Sequence, residues 1–443
     1  MTQHKHLKQL VRARMEKTGE AYATARRHVI AQAPNSPKSP HLPGNIATTT
    51  ALRVLLQAAG ARAPHNGQPF SEALLFGLAG GIGIGVFSFL YEKADFASFY
   101  LAGRHLWHDH AAYLTSAAKR LGAQTVIKES SGTKSGERQL RELLEQYRVC
   151  VAWVDASLLP HRALPTDMPG GAYHVISVYA IDDQAGAATI GDLSDNPVTI
   201  KLTDLAAARA RIKKDKQRLL ALEAGRQSPA LETLVGEGLR ACHAGLHGEG
   251  APRQAKGNFT LDALNTWAER LVSTIDDNRW EQVFAPGHRL WRGLTSVYET
   301  IEHQGTGGGL SRPLFAEFLT EAAAATKQKA LTELATRYSE LGRRWSALAH
   351  AALPDQVPLF REARELYVHK AELAASDGAD ATDGIRAAWQ HLAALEQAAK
   401  ERFPISAADH TALRHTLAER VRAIHEAEVA ALESLAGLIS INT

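Results

Sequence analysis

Cysteine is almost absent from this 443-residue chain: Cys150 and Cys242 are the only two. That excludes a disulfide framework and leaves no paired spacing for a zinc site. A dominant charge is missing as well. Fifty Lys and Arg stand against 47 Asp and Glu, a formal net charge of +3, so the chain as a whole makes no demand for nucleic acid or an anionic membrane. The N-terminus MTQHKHLKQLV lacks the apolar core of a secretory signal, and the cytoplasm is the expected compartment. Long apolar runs are limited to one, Ala73 to Tyr91, in which Gly77, Gly81 and Gly85 repeat at an interval of four. Its length approaches a membrane span, but five glycines and the acidic flanks Glu72 and Glu92 favour a buried helix end followed by a glycine-rich turn, and no membrane partner is expected.

Cofactor signatures are equally sparse. Gly81-Ile82-Gly83-Ile84-Gly85 follows no clear strand and lacks the dinucleotide spacing, and no Walker lysine occurs. In HLWHDH, His105 and His108 can share a helix face, but His110 points elsewhere and no carboxylate-rich motif joins them and Asp109. Surface histidines are the expectation there, with no metal and no cofactor.

What is present is an ordinary globular composition, 45% hydrophobic and 22% charged, long enough for two or three domains. Residues 1–33 read as a short basic segment: Lys5 to Arg27 has Leu7, Leu10, Val11 and Met15 at helical intervals, interrupted at Thr18-Gly19-Glu20. A solvated helical hairpin packed on the body is favoured over a nucleic-acid-binding module, because no aromatics are interleaved. Pro34, Pro37, Pro40 and Pro43 stiffen the connection to the next domain, with a linker over 34–40. From 41 to 225 helices and strands mix: helices over Ala47 to Ala59, Ala111 to Leu121 and Glu137 to Tyr147, a buried strand in VCVAWV, and a hairpin of HVISVYAIDD with AATIGDL around Gln184-Ala185-Gly186. Strand signals end near Leu202, and Leu205 to Glu223 reads as a basic helix. From 226 to 443, with Ser228-Pro229 as a helix start, the chain reads as all helical, broken at Gly307-Gly308-Gly309, Pro354 and Pro404. The fold class is α+β followed by an all-α domain.

The segments HLPGNIATTTALRVLL, FSEALLFGLAGGIG, VCVAWVDASLLPH, GAYHVISVYAIDD and IGDLSDNPVTIKLTDLAAAR, in this order, resemble the N-terminal domain of the butirosin biosynthesis protein H family. The helical stretch from about Leu310 resembles the domain of unknown function that accompanies it. The resemblance implies a papain-like first domain. It also implies transfer of an acyl group from a carrier-protein thioester to an amine, in bacterial secondary metabolism, with an acyl carrier protein and a peptide or amine acceptor as partners.

Such chemistry needs a thiolate at a helix N-terminus, a histidine base and a carboxylate or amide that fixes its ring. His174 opens a strand and Asp192 ends the next; if Asp192 pairs with Ile176 or Val178, the two side chains share a face, closest in the Ile176 register. The nucleophile is where this sequence departs from the family. Its cysteine should fall at Ile46 or Ala47, and neither can attack a thioester. Thr48 and Thr49 are candidate substitutes, although N-capping is the plainer role for a threonine here. Cys150 reads as a core residue, and Cys242 is a poor dyad partner for the adjacent His243. The sequence thus supports two expectations: an acyl or aminoacyl transferase-like protein, or a pseudoenzyme that binds a carrier protein, peptide or partner enzyme through the same cleft.

Overall fold

Helices and strands alternate as far as residue 223, and helices alone occupy the rest. The computed structural model describes residues 2–31, 41–103, 110–164, 172–223, 229–376 and 378–441. The residues expected to form the 34–40 linker, the junction at 225/226, Ser228, His105, His108 and Asp109 lie outside the described residues.

The N-terminal pair is α1 (Thr2–Thr18) and α2 (Tyr22–Ala31). Gly19, at φ +69°, ends α1 by returning its N–H to the Met15 carbonyl at 2.8 Å. The hairpin is packed on the body, and its arginines are engaged there: Arg12 with Glu372, Arg26 with Asp195, Arg27 with Glu317. Next come α3 (Ala47–Ala58), α4 (Glu72–Leu78) and the two-stranded ribbon β1 (Gly85–Tyr91) and β2 (Phe96–Ala102). The apolar run from Ala73 is therefore a helix end, a glycine turn and a strand. Among the described residues no helix is long and apolar enough to cross a membrane.

The chain continues with α5 (His110–Arg120), β3 (Gln124–Lys128), α6 (Thr133–Tyr147), β4 (Cys150–Asp155), β5 (Tyr173–Asp182), β6 (Ala187–Gly191), β7 (Val198–Lys201), α7 (Leu202–Arg211) and β8 (Leu219–Glu223). Six strands form one antiparallel sheet in the order β3-β8-β4-β5-β6-β7. This corrects the reading of Leu205 to Glu223 as one helix. Leu219, Leu220, Ala221 and Leu222 are helix formers, yet they are buried on both sheet faces between β3 and β4, and burial between two hydrogen-bonding neighbours overrides propensity.

The sheet separates two apolar clusters by strand alternation. Val151, Trp153, Val175, Leu220 and Leu222 point to the side of α3, α4 and α5. Ala152, Val154, Ile176, Val178 and Leu219 point to the side of α6 and α7, where Leu140, Leu143, Leu205 and Ala208 cover them.

The remaining helices are α8 (Leu231–Leu246), α9 (Asp262–Val272), α10 (Trp280–Val283), α11 (His288–Glu302), α12 (Arg312–Thr326), α13 (Ala330–Ala352), α14 (Pro358–Ser376), α15 (Thr382–Glu401) and α16 (Ala407–Ile441). Breaks occur at the expected glycine run and at both prolines. The first cluster runs on without interruption into these helices. Gly77 of α4 makes that possible: a Cβ there would lie 2.1 Å from the Phe318 ring of α12.

Candidate functional site

Asp155, at the end of β4, starts the site. Its Oδ1 accepts from Ser157 N–H at 2.9 Å, Ser157 hydroxyl at 2.6 Å and Ala172 N–H at 3.0 Å. This cap starts a 3-10 turn at Ala156–Leu158, and a second, uncapped one at Pro160–Arg162 follows it and delivers His161 and Arg162 to Asp192 at the end of β6. In that hairpin Ser177 faces Gly191, so Asp192, the next residue, falls opposite Ile176 and on the His174 face, as the closer of the two expected registers requires.

Asp192 is the hub. Arg162 grips its carboxylate with two parallel bonds, Nε to Oδ2 and Nη2 to Oδ1, both 2.7 Å. His161 Nε2 lies 2.9 Å from Oδ2 and His174 Nε2 lies 2.8 Å from Oδ1. Burial pushes the Asp192 carboxyl up, but the Arg162 charge and the histidine contacts outweigh it and hold the group well below the usual carboxylate range. His174 is pushed down by burial and by Arg162, against Asp192, so it is neutral at neutral pH. Its Nε2 also lies 2.9 Å from Arg162 Nη2. The two contacts make opposite demands on Nε2: donation to the carboxylate leaves Nδ1 with its lone pair, whereas acceptance from Arg162 puts the proton on Nδ1.

The start of α3 is built differently from a nucleophile's seat. Ile46 is its N-cap residue, extended at φ −121° and with no side-chain cap. Glu72, from the first turn of α4, supplies the anion instead. Its Oε1 accepts the N–H groups of Asn45 at 2.8 Å and Ile46 at 2.9 Å, and its Oε2 accepts from Asn45 Nδ2 at 3.1 Å. The positive end of α3 is thus occupied by a carboxylate of the chain itself.

Ile46 is fully buried in the core, while Ala47 borders a narrow gap with Thr50, Ser177, Tyr179, Gly191 and Asp192 that admits no water-sized sphere. The expectation that position 46 or 47 faces the His174 ring is not met. His174 stands opposite Val154, on the α6 and α7 side, whereas Val175, Ser177 and Tyr179 face α3. A strand shows alternate residues to opposite faces, and this one shows its histidine to the other side. Thr48 and Thr49 are buried, and neither hydroxyl has a partner among the described residues. Neither borders the gap, and neither is the N-cap.

Three partners escaped the sequence reading. His161 and Arg162 were hidden because nothing in LLPHR marks a turn that doubles back under a strand 30 residues later. His41, next to the expected linker, bonds the Ser194 carbonyl through Nε2 at 2.8 Å and meets the Tyr179 hydroxyl through Nδ1 at 3.1 Å. Cys150 is buried, its thiol pushed up to about 12 by burial. Cys242 is buried too, with Sγ 3.6 Å from the Gly77 carbonyl. Neither thiol is part of this site.

Residues 47–193 match the model of butirosin biosynthesis protein H, N-terminal, and residues 203–358 match a domain of unknown function, DUF4872. The chain belongs to the butirosin biosynthesis protein H family. No curated protein matches it. The butirosin-H match begins on the first residue of α3 and ends one residue past Asp192, so it encloses the helix start and the whole Asp192 cluster. It omits β7 and β8, and β8 lies inside the second match. Family membership makes the chain acyl- or aminoacyl-transferase-like and related to biosynthesis.

Proposed function

We propose that this butirosin-H-family protein is a non-transferring member, a pseudoenzyme on a papain-like scaffold that binds an acyl carrier protein or a partner enzyme without taking an acyl group onto itself. The start of α3 carries this reading. A thiolate needs a helix N-terminus with its positive end free and a histidine within reach. Here the position holds Ile46 or Ala47, Glu72 occupies the helix end, the gap is closed to water, and His174 belongs to the other sheet face. His174, Asp192, His161 and Arg162 then act as a clamp that joins the β4 turn to the β5–β6 hairpin.

The transferase alternative keeps one supporting observation, the contact of His174 Nε2 with the Asp192 carboxylate at 2.8 Å. It requires Thr48 or Thr49 as nucleophile, and an internal hydroxyl with no base beside it is a poor one at neutral pH. Incubation with acyl-loaded carrier protein, followed by intact mass measurement, separates the two. The expected result is unmodified protein together with a measurable complex. An acyl adduct mapped to Thr48, Thr49 or either cysteine would overturn the proposal.

A further inference from the structure

A second cavity, of about 420 Å³, opens between α1, α11, α13 and α14, and none of the residues of the Asp192 cluster lines it. Its volume is within the range that holds small organic ligands. Its floor is cationic. Arg364, on α14, is 8% exposed; its two terminal nitrogens meet His350 Nδ1 and the Asp355 carboxylate, and its Nε has no partner among the described residues.

The compensation for that buried charge is incomplete. The Asp355 side chain is 69% exposed, so water screens most of its field, while the guanidinium it answers lies inside. His350 adds nothing negative. A guanidinium only donates, so Nδ1 accepts, and burial followed by Arg364 lowers the imidazole to about 4, leaving it neutral with its proton on Nε2. Arg361 lies one turn earlier on the same helix, lines the same cavity, and has no side-chain partner among the described residues. Two guanidiniums therefore face one space, and two of the carboxylates that share its lining with them, Asp355 and Glu365, are solvated.

The other lining groups give the ligand its remaining character. Arg12 is neutralised by Glu372, which holds it through Nε at 2.9 Å and Nη2 at 2.5 Å, so the α1 wall is latched in place. Glu365 and His369 are exposed at the rim. Met15, Val368 and the Tyr298 ring supply an apolar side.

We propose that this cavity binds a small oxyanion-bearing molecule, a carboxylate or a phosphate monoester with an apolar body, its acid group held between Arg361 and Arg364 and its body against Met15, Val368 and Tyr298. The free guanidinium fork of Arg361 matches both acid groups, Arg364 adds its under-compensated charge from the floor, and the apolar wall excludes a bare ion as the best ligand.

Calorimetric titration of the full chain with phenyl phosphate, benzoate and inorganic phosphate tests this. Phenyl phosphate or benzoate should bind, at least about tenfold more tightly than inorganic phosphate, and the tighter of the two identifies the acid class. Arg361→Glu, on an exposed side chain whose loss leaves the core intact, should weaken binding about tenfold or more with unchanged circular dichroism. Arg364→Lys should weaken it as well, since a single ammonium cannot keep both the His350 and the Asp355 contacts that hold the charge at the floor. The proposal fails if neither aromatic acid binds by about 10 mM, or if Arg361→Glu binds as well as the parent.

Discussion

Replacing Asp192 with Asn keeps the shape of the side chain and removes its charge, which isolates what the clamp contributes. The carboxylate accepts from Arg162 twice and lies within hydrogen-bond distance of His161 Nε2 and His174 Nε2, and its side chain is 4% exposed. The amide can still accept at one oxygen, but its NH₂ must then face a guanidinium or imidazole N–H, donor against donor. Arg162 is 26% exposed, so its charge is left largely buried without a counter-ion. Breaking one side of such a pair costs about 3–5 kcal/mol, and the hydrogen bonds are not added on top because they belong to the same network. Urea denaturation followed by circular dichroism should show a lower midpoint with an unchanged slope.

The pH dependence has a definite sign. The folded carboxyl lies well below its ordinary value, so its contribution is fully present above about pH 4 and disappears as pH falls through the folded value. The gap between parent and Asp192→Asn should therefore be widest near neutrality and close in acid. The double variant Arg162→Met with Asp192→Asn should recover part of the loss, because the unpaired charge is gone. A loss under about 1 kcal/mol at pH 7, or a gap that does not narrow in acid, refutes the clamp as the reason for this arrangement.

Three further outcomes are expected. A cysteine introduced by Ala47→Cys should titrate at or above about 8.5 in pH-dependent alkylation, because it would sit in a gap closed to water, where burial disfavours the thiolate; a value depressed below about 7 would restore the inherited-nucleophile reading. Burial pushes the Glu302 carboxyl up to about 7, so its penalty is absent below the ordinary carboxylate range and grows as pH rises through that value. Glu302→Gln should accordingly be more stable than the parent at pH 8 by on the order of 3 kcal/mol and similar to it near pH 4.5, as thermal melts at the two pH values will show. Gly77→Ala should destabilise by at least about 1–3 kcal/mol in urea melts, since the added methyl overlaps the Phe318 ring.

Much of this architecture can be read from the chain alone. VCVAWV reads as a buried strand because its β-branched residues occur in a run of strand length, and β4 spans Cys150–Asp155 with every residue buried. The hairpin around Gln184-Ala185-Gly186 is visible from its turn, but the register that brings Asp192 to His174 is set by a bulge at Tyr179, which shifts the pairing by one residue from that of the turn. Periodicity places a helix over Ala47 to Ala59, and α3 spans Ala47–Ala58. Other parts leave no local trace. β8 has the composition of a helix, and only its neighbours make it a strand. β1 shares an apolar run with a helix end, so glycines mark the turn and hide the first strand of the ribbon. His161 and Arg162 reach Asp192 through a turn whose direction depends on Asp155, three bonds that no spacing rule encodes. The side of the sheet on which His174 faces α3 or avoids it depends on one residue of register between strand and helix. That register is a property of packing.

The place of β8 also bears on how the chain is made and cut. Its partner β3 is synthesised about a hundred residues earlier, so during translation β3 has no strand beside it and β4 keeps one edge open until residue 223 has emerged. Closing so long a loop adds little entropy beyond a short one, but it comes late. A fragment ending at residue 193, where the first family match stops, would retain the entire Asp192 cluster and yet expose the edge of β4 and leave β3 unpaired. Such a piece is more prone to associate edge to edge than to fold, and the boundary between the two matched regions is a seam in the sequence that passes through the middle of a sheet.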